Sequence, residues 1–577
     1  MSTENIPQSQ PLTNDQVQNN AGGFSWAVDD MQRLRRFLCL GSEGGTYYQG
    51  EKELGVENAQ AILKLIADGR GSEVVETIKT YSIEGRTSKQ NPIMFALALC
   101  AKSTDLLTKR AAYSSLSEIC RIPTHLFMFI KYAHALGQNW GRAQRRAVSN
   151  WYIEQNPSKL AMAITKYQNR EGYSHRDILR LAHPSTKDPL LCFLFDYITH
   201  GFKQANENLN KPKESTNGNN NNTEDITEKD QQQQEQKQQK ENLNDEDDET
   251  NNKKLVTIEQ LKDFLETVEK VKISTNEDEL ITAIRQHHLV REHMPTNMLN
   301  SKSIWSVLLE KMPLTAMIRN LGKMSEINLL TENSEAEKRV VERLKNREQL
   351  QRARIHPFNV LVALETYKQG KGFKGKLQWQ VSEQIKNALE EAFYLSFKFV
   401  KSTNQRYLLG LDVSGSMSCG TINGSPSITP AVGSCAMCMV THRIEPYAKV
   451  VAFSDHLIPV DFSKTAKLED VMTTTRAISF GRTDCALPML WAIDNKEKID
   501  VFVVYTDSET WFGDIHPTAA LKKYRQEMDC PNAKLIVVGM QSNGFTIADP
   551  NDKGMLDVVG FDSAAPQVMS LFAEGEI

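Results

Sequence analysis

Asp412, Ser414 and Ser416 stand at alternate positions directly after the apolar run Leu408 to Leu411. A buried strand that ends in one carboxylate and two short hydroxyls puts oxygen donors on a turn. Hard divalent ions such as magnesium take octahedral oxygen sets in which several ligands stay water. Two further oxygen side chains fall at comparable places: Thr483 after Gly481 and Arg482, and Asp507 after the apolar run Val501 to Tyr505 and Thr506. Ser414, Ser416 and Thr483 read as direct ligands, Asp412 as a ligand directly or through water, and Asp507 as the third loop's contribution. The implied cofactor is a divalent metal cation, Mg2+. Arg482 sets a cation beside Thr483, where it weakens the ion or serves an acidic partner. No nucleophile with a positioned base, and no acidic cluster spaced for two-metal hydrolysis, accompanies these residues, so the chain reads as a binding protein, not an enzyme.

A second set is basic. Between Arg121 and His183, the residues Lys131, Arg142, Arg145, Arg146, Lys166, Arg170 and His183 interleave with Trp140, Trp151, Tyr152, Tyr167 and Tyr173. RNA binding needs cations for phosphates and planar groups for unstacked bases. A solvated basic face over a core of Trp and Tyr has the same composition, and composition alone leaves both readings open. Lys166 and Arg170 are four apart and read as one helix face that grips neighbouring phosphates. His175 and His183 read as surface or capping residues. The charge map has the same polarity: Lys102 to Arg180 holds thirteen Lys/Arg against five Asp/Glu, while Asn404 to Ile577 holds fourteen against twenty-one, within a net charge of −4.

The elements that must carry these sets change character along the 577 residues. Residues 1–22, rich in Gln, Asn, Ser and Pro, read as disordered. From residue 23 to 402 short amphipathic helices follow one another. In Val56 to Ala67, the residues Val56, Ala59, Ile62, Leu63 and Ile66 form a stripe; Asn91-Pro92 reads as an N-cap with proline first in the helix; Ile355 to Phe358 opens a helix whose Val360, Leu361 and Leu364 face the core. Such stripes are buried only by stacking, as in a helical-repeat array. Residues 203–254, with Asn and Gln runs and an acidic end, read as a disordered insertion within that domain. From 403 to 577 strands alternate with helices: Tyr407–Val413, Ala448–Phe453, Val501–Thr506 and Leu535–Met540 are nearly continuous apolar runs, with helices at Ala431–Arg443 and Ala519–Met528. That order implies a doubly wound, Rossmann-like parallel sheet, whose ligands sit outside the carboxyl ends of its strands. No apolar run reaches the roughly 20 residues that span a bilayer, and the polar start lacks a signal-peptide core, so the reading is intracellular without membrane contact. Nine scattered cysteines, Cys435 and Cys438 included, read as reduced buried thiols.

Long stretches resemble the Ro autoantigen family, in which a HEAT-like helical-repeat TROVE module precedes a von Willebrand factor A domain. They include Arg36-Phe-Leu-Cys-Leu-Gly-Ser-Glu-Gly-Gly-Thr-Tyr-Tyr48, Cys120-Arg-Ile-Pro-Thr-His-Leu-Phe127, Ala353-Arg-Ile-His-Pro-Phe358 and Asn543-Gly-Phe-Thr-Ile-Ala-Asp-Pro550. The loop at Asp412 matches the family's metal-ion-dependent adhesion site. The resemblance implies a ring of helices closed by the A domain. It also implies a cytoplasmic ribonucleoprotein core that binds small noncoding Y-type RNA on the ring and single-stranded 3′ ends of misfolded noncoding RNA in the central hole, a quality-control role. Lys166, Arg170 and His183 fall where that family contacts RNA, and Ser414, Ser416 and Thr483 on its metal ligands. Arg482 stands where the pattern tends to have glycine. The alternative is a metal-dependent protein-binding adaptor, in which the A domain captures a partner's acidic residue and the helices are scaffold.

Overall fold

The computed structural model describes residues 5–137, 139–210, 256–372, 376–397, 400–479 and 481–577. They divide into two compact units. One comprises Met1–Ala147, Arg170–Gly172 and Thr296–Ile577, and the other Val148–Asn169 and Tyr173–Pro295.

In the first unit, helices Asp30–Leu40, Glu51–Ala67, Gly71–Ile83, Asn91–Lys102 and Pro123–Ala135 follow in sequence. Their starts are written locally: the Asp29 carboxylate accepts from the Gln32 amide, and Pro123 opens its helix at a position whose amide has no helical partner. The helix expected from Val56 begins earlier, at Glu51, and its buried stripe is Leu54, Asn58, Ala61, Ile62 and Leu65. Val56 and Leu63 are half exposed. The stripe departs from the expected one because it contains a polar residue. Asn58 is tolerated inside it because its amide accepts from Arg33 and donates to Ser42 and Ser542. Asn91 is the first helical residue and Gln90 holds the cap position, one residue before the expected cap. Val360, Leu361 and Leu364 are buried as expected, on a helix capped by His356.

The same unit contains strands β1 (Gln16–Gln18), β2 (Phe24–Ala27), β3 (Arg406–Asp412), β4 (Tyr447–Phe453), β5 (Leu457–Val460), β6 (Val501–Thr506), β7 (Lys534–Gly539), β8 (Phe545–Thr546) and β9 (Met555–Val559). Six of them form one sheet in the order β9-β7-β6-β3-β4-β5. The four expected strands are its centre. The sheet is mixed, not wholly parallel: β5 pairs antiparallel with β4 because Ser454 to His456 makes a tight reversal where a crossover helix would be needed for a parallel partner. Helices Pro430–Ile444, Leu487–Asp494 and Pro517–Glu527 cover its faces. Leu408, Leu409, Val503 and Val504 are fully buried, each contributing about 1.5–3 kcal/mol of transfer free energy.

Residues 5–22, expected to be disordered, are ordered. β1 pairs with β2 and β2 with β8, both antiparallel, and Gln8 and Asn19 are buried. Composition misleads here because the segment is held by amide hydrogen bonds rather than by apolar burial. The N-terminal segment therefore packs on the sheet that follows residue 403.

The second unit is helical: Pro157–Lys166, His175–Ala182, Pro189–His200, Phe202–Leu209, Ile258–Ile273 and Glu277–His287. Its core includes Trp151, Tyr152, Ile178, Leu194, Leu265 and Leu280. Helix Phe202–Leu209 occupies the start of the expected insertion, so the helical pattern persists past residue 203; residues 211–254 lie outside the described residues. His175, read as a surface or capping residue, is buried and its Nδ1 pairs with the Tyr152 hydroxyl at 2.8 Å.

Burial holds four histidines well below their ordinary 6.5: His125, His293 and His356 at about 4 and His175 at about 3. Each is neutral when folded, so its contribution is complete above the unfolded value and is lost as pH falls through 6.5 toward the folded one. His356 Nδ1 accepts from the Phe358 amide, a role asparagine can take. His356→Asn should lower the melting temperature at pH 7. It should also flatten its fall between pH 6.5 and 4.5 by one proton's worth, about 1.4 kcal/mol per pH unit, in calorimetric scans across that range.

Candidate metal loop and RNA-binding surface

β3 and β6 run side by side in parallel, so the chain that leaves each emerges at the same edge of the sheet. This delivers Asp412, Ser414, Ser416 and Asp507 to one place. The Ser414 and Ser416 hydroxyls are 3.2 Å apart, and Ser416 hydrogen bonds to the Asp507 carboxylate. Asp412 accepts from the Ser414 amide at 2.9 Å and from the Thr506 hydroxyl at 2.6 Å. All four residues are buried. Burial pushes the Asp507 carboxyl far above the usual range, and the charges of Asp412 and Glu509 push it further; burial likewise raises Asp412. Thr483 is tied to the Asp507 loop through its backbone: its carbonyl accepts from the Thr510 hydroxyl and from the Trp511 and Phe512 amides. Gly481 before it lets the Asp455 carboxylate approach closely, since a β-carbon there would sit 2.4 Å from it and turn that side chain aside. Arg482 is exposed and lies over the Phe512 ring, 3.9 Å from its centroid.

The donor set fits a hard divalent cation. Two buried carboxylates within each other's field lack a compensating charge, and hydroxyls surround them. Among the described residues no group of three or more His, Cys, Asp or Glu side chains is placed to hold a metal, so the candidate site depends on its hydroxyls as well as its carboxyls. Sequence reasoning missed Glu509, Tyr48, Asn20 and Asn543 at this site. The Asn543 amide donates to the Asp507 carbonyl and to Glu509. The Tyr48 hydroxyl is raised by burial and by the charges of Asp507, Glu509 and Asp412. Tyr48 and Asn543 end and begin two of the family-like stretches, which was a usable signal; Asn20, inside a Gln/Asn-rich run, gave none.

The basic residues divide between the units. In the first, Arg142, Arg145 and Arg146 are exposed on helix Arg142–Ile153, and Lys131 ion-pairs with Glu171 at 2.7 Å. In the second, Lys166 ends its helix with its ammonium 5.0 Å from the Tyr167 ring centroid. His183 is exposed in a left-handed conformation after helix His175–Ala182, a capping place as expected. With Arg180 it borders a cleft of about 670 Å³. Lys166 and Arg170 do not share a helix face. The helix stops at Lys166, and Arg170 belongs to a hairpin that turns at Glu171 and Gly172, both with positive φ; the Asn-Arg-Glu-Gly-Tyr run is a turn signal that a four-residue spacing argument overlooks. Trp151 and Tyr152 are core residues, while Trp140, Tyr167 and Tyr173 are partly exposed. All nine cysteines are free; Cys435 and Cys438 are buried, but Cys192 and Cys419 are exposed. No helix among the described residues is long and apolar enough to cross a membrane.

With this geometry established, the chain matches the TROVE domain model over residues 17–366 and the Ro60 vWA domain model over residues 406–573. It is 39% identical over 606 residues to the RNA-binding protein RO60 of Caenorhabditis elegans, spanning 99% of this chain and 92% of that one. It is 36% identical over 576 residues to the RNA-binding protein RO60 of Deinococcus radiodurans, spanning 99% and 98%. The crystal structure of the Deinococcus radiodurans RO (RSR) protein superposes with a TM-score of 0.63 at 33% identity, over 95% of this chain and all of that chain.

Asp507→Asn removes one of two buried carboxyls that disfavour each other's ionisation, the same group that is the candidate metal ligand. Its melting temperature in EDTA should exceed that of the parent. Mg2+ at one hundred times its dissociation constant should stabilise the parent by about 2.7 kcal/mol and leave the variant unchanged in the same scans.

Proposed function

The chain belongs to the Ro60 family of TROVE-domain RNA-binding proteins, and from that premise we propose that it is the non-enzymatic core of a cytoplasmic ribonucleoprotein engaged in RNA quality control. In this reading small noncoding Y-type RNA lies on the basic helices. Single-stranded 3′ ends of misfolded noncoding RNA enter the central hole that the family resemblance implies. The observation that carries the reading is the set of cations at Arg142, Arg145, Arg146 and Arg170, which are exposed, and Lys166, which is partly exposed, in a stretch with thirteen basic against five acidic residues. Their position on turns and helix ends suits phosphates that follow an irregular backbone. Association driven by such contacts weakens steeply with salt.

The metal loop supports a second, protein-facing role. Ser414, Ser416 and Thr483 would hold Mg2+ with Asp507, and Asp412, whose oxygens already accept from Ser414 and Thr506, would act through water. A bound cation there polarises an incoming carboxylate or phosphate oxygen. Arg482 on Phe512 adds a second positive group at the same edge, which favours a partner with an acidic residue.

Lys166→Ala with Arg170→Ala should weaken binding of a small structured RNA at least about tenfold. It should also flatten the slope of log affinity against log salt by about 2, near one unit per lost phosphate contact. His287→Ala, on a half-buried ring facing Asp263, should change neither. Equal losses in filter-binding titrations of the two variants would remove the basic turn from the RNA site.

A further inference from the structure

Metal coordination by three separate loops needs those loops held to within a few tenths of an ångström of one another, and the sheet alone fixes only their roots. Two of the three are joined by a side chain from far away in sequence. Gln8 is fully buried. Its amide nitrogen donates to the Asp484 carboxylate at 2.6 Å and to the Ile515 carbonyl at 2.9 Å, while its amide oxygen accepts from the Thr510 hydroxyl. Asp484 adjoins Thr483, and Thr510 lies three residues beyond Asp507. One amide therefore spans the second and third metal loops.

The next part of the same segment acts on the third loop only. Asn19 donates to the Thr510 carbonyl at 2.6 Å. Asn20 offers its backbone N–H and its side-chain amide, each at 2.8 Å, to the two oxygens of Glu509. Glu509 is two residues from Asp507 and raises its carboxyl by repulsion. Both Glu509 oxygens being occupied, the carboxylate is held away from the cation's ligand set rather than left to swing into it. Gly23 completes the seat, since a β-carbon there would lie 2.1 Å from the Thr510 carbonyl oxygen. The segment is itself anchored, because β2 pairs with β8, which follows Asn543, the other residue bonded to Glu509.

We infer that residues Gln8 to Gly23 form a built-in clamp for the divalent cation, with Gln8 and Asn20 as its positioning residues. The inference rests on the metal reading given above. It makes metal affinity a property of the N-terminal segment as well as of the A domain, so that displacing the segment would release the cation without touching a ligand.

The test is Mn2+ binding to the full chain, followed by loss of the free-ion electron paramagnetic resonance signal, for the parent, Gln8→Ala, Asn20→Ala and Gln18→Ala. The Gln18 side chain bonds only the Gly22 carbonyl among the described residues and serves as the control. Gln8→Ala and Asn20→Ala should each weaken Mn2+ about tenfold or more, the usual scale for partners behind the ligands, and Gln18→Ala should not. Asn20 is exposed, so Asn20→Ala decides the matter if Gln8→Ala fails to fold. Its metal-free melting temperature should equal that of Gln18→Ala, and its RNA affinity that of the parent. Parent-like Mn2+ affinity in Asn20→Ala would overturn the clamp alone. Absence of Mn2+ binding in the parent would overturn the metal reading and the clamp with it.

Discussion

Two carboxylates withdrawn from water inside each other's field, Asp412 and Asp507, are the constraint around which the top of the sheet is organised. Such a pair is unfavourable by itself: an isolated buried charge costs several kcal/mol, and a second like charge adds to it. The surroundings lower that cost by hydrogen bonds to the charged form, from the Ser414 amide, the Thr506 hydroxyl and Ser416. Those bonds dictate short hydroxyl side chains at alternate positions, and the same hydroxyls are what a hard cation requires. The sequence pattern that looks like a ligand set is thus also the pattern that makes the carboxylates tolerable.

The same logic with opposite signs joins helices to sheet elsewhere in the first unit. Arg36 is fully buried and donates to Asp557, to the Asn543 side chain and to the carbonyls of Asn543 and Phe545. Arg86 reaches both oxygens of Asp562, stacks on Tyr81, and receives support from the Tyr81 hydroxyl. Removing one partner of such a pair typically costs about 3–5 kcal/mol because the other is left charged and dry. Helices Asp30–Leu40 and Gly71–Ile83 are therefore parts of the sheet's unit, and the boundary that a change of rhythm near residue 403 suggests is not a boundary of packing.

What could be read in advance follows from which forces leave a periodic trace. The central strands were legible because each contains a nearly continuous buried apolar run; β5 and β9 were not, because β5 is four residues long with Ile458 and Pro459 exposed and β9 is interrupted by Asp557. The convergence of Asp412, Ser414, Ser416 and Asp507 was legible because each follows an apolar strand at fixed spacing. The N-terminal segment was not, because Gln8, Asn19 and Asn20 act through amides whose partners are about five hundred residues away, and nothing local distinguishes them from a solvated run. Helix Glu51–Ala67 failed in detail for a related reason: Asn58 breaks the apolar stripe and is satisfied only by residues of other elements.

The basic surface obeys weaker forces, and that shapes which of its residues can serve a phosphate. Lys131 is paired with Glu171, yet both are partly exposed, at 53% and 28% of their side chains, and an exposed pair of this kind contributes about 0–1 kcal/mol. An anion can replace Glu171 at little cost, so the pairing does not exclude Lys131 from phosphate binding. Lys166 differs, since its ammonium already lies over the Tyr167 ring and less side-chain entropy is lost when an anion arrives. Arg142, Arg145 and Arg146 stand on one exposed helical turn, where three like charges repel at short range until an anion enters. Each of these groups is in a state to which a nearby anion adds favourable interaction.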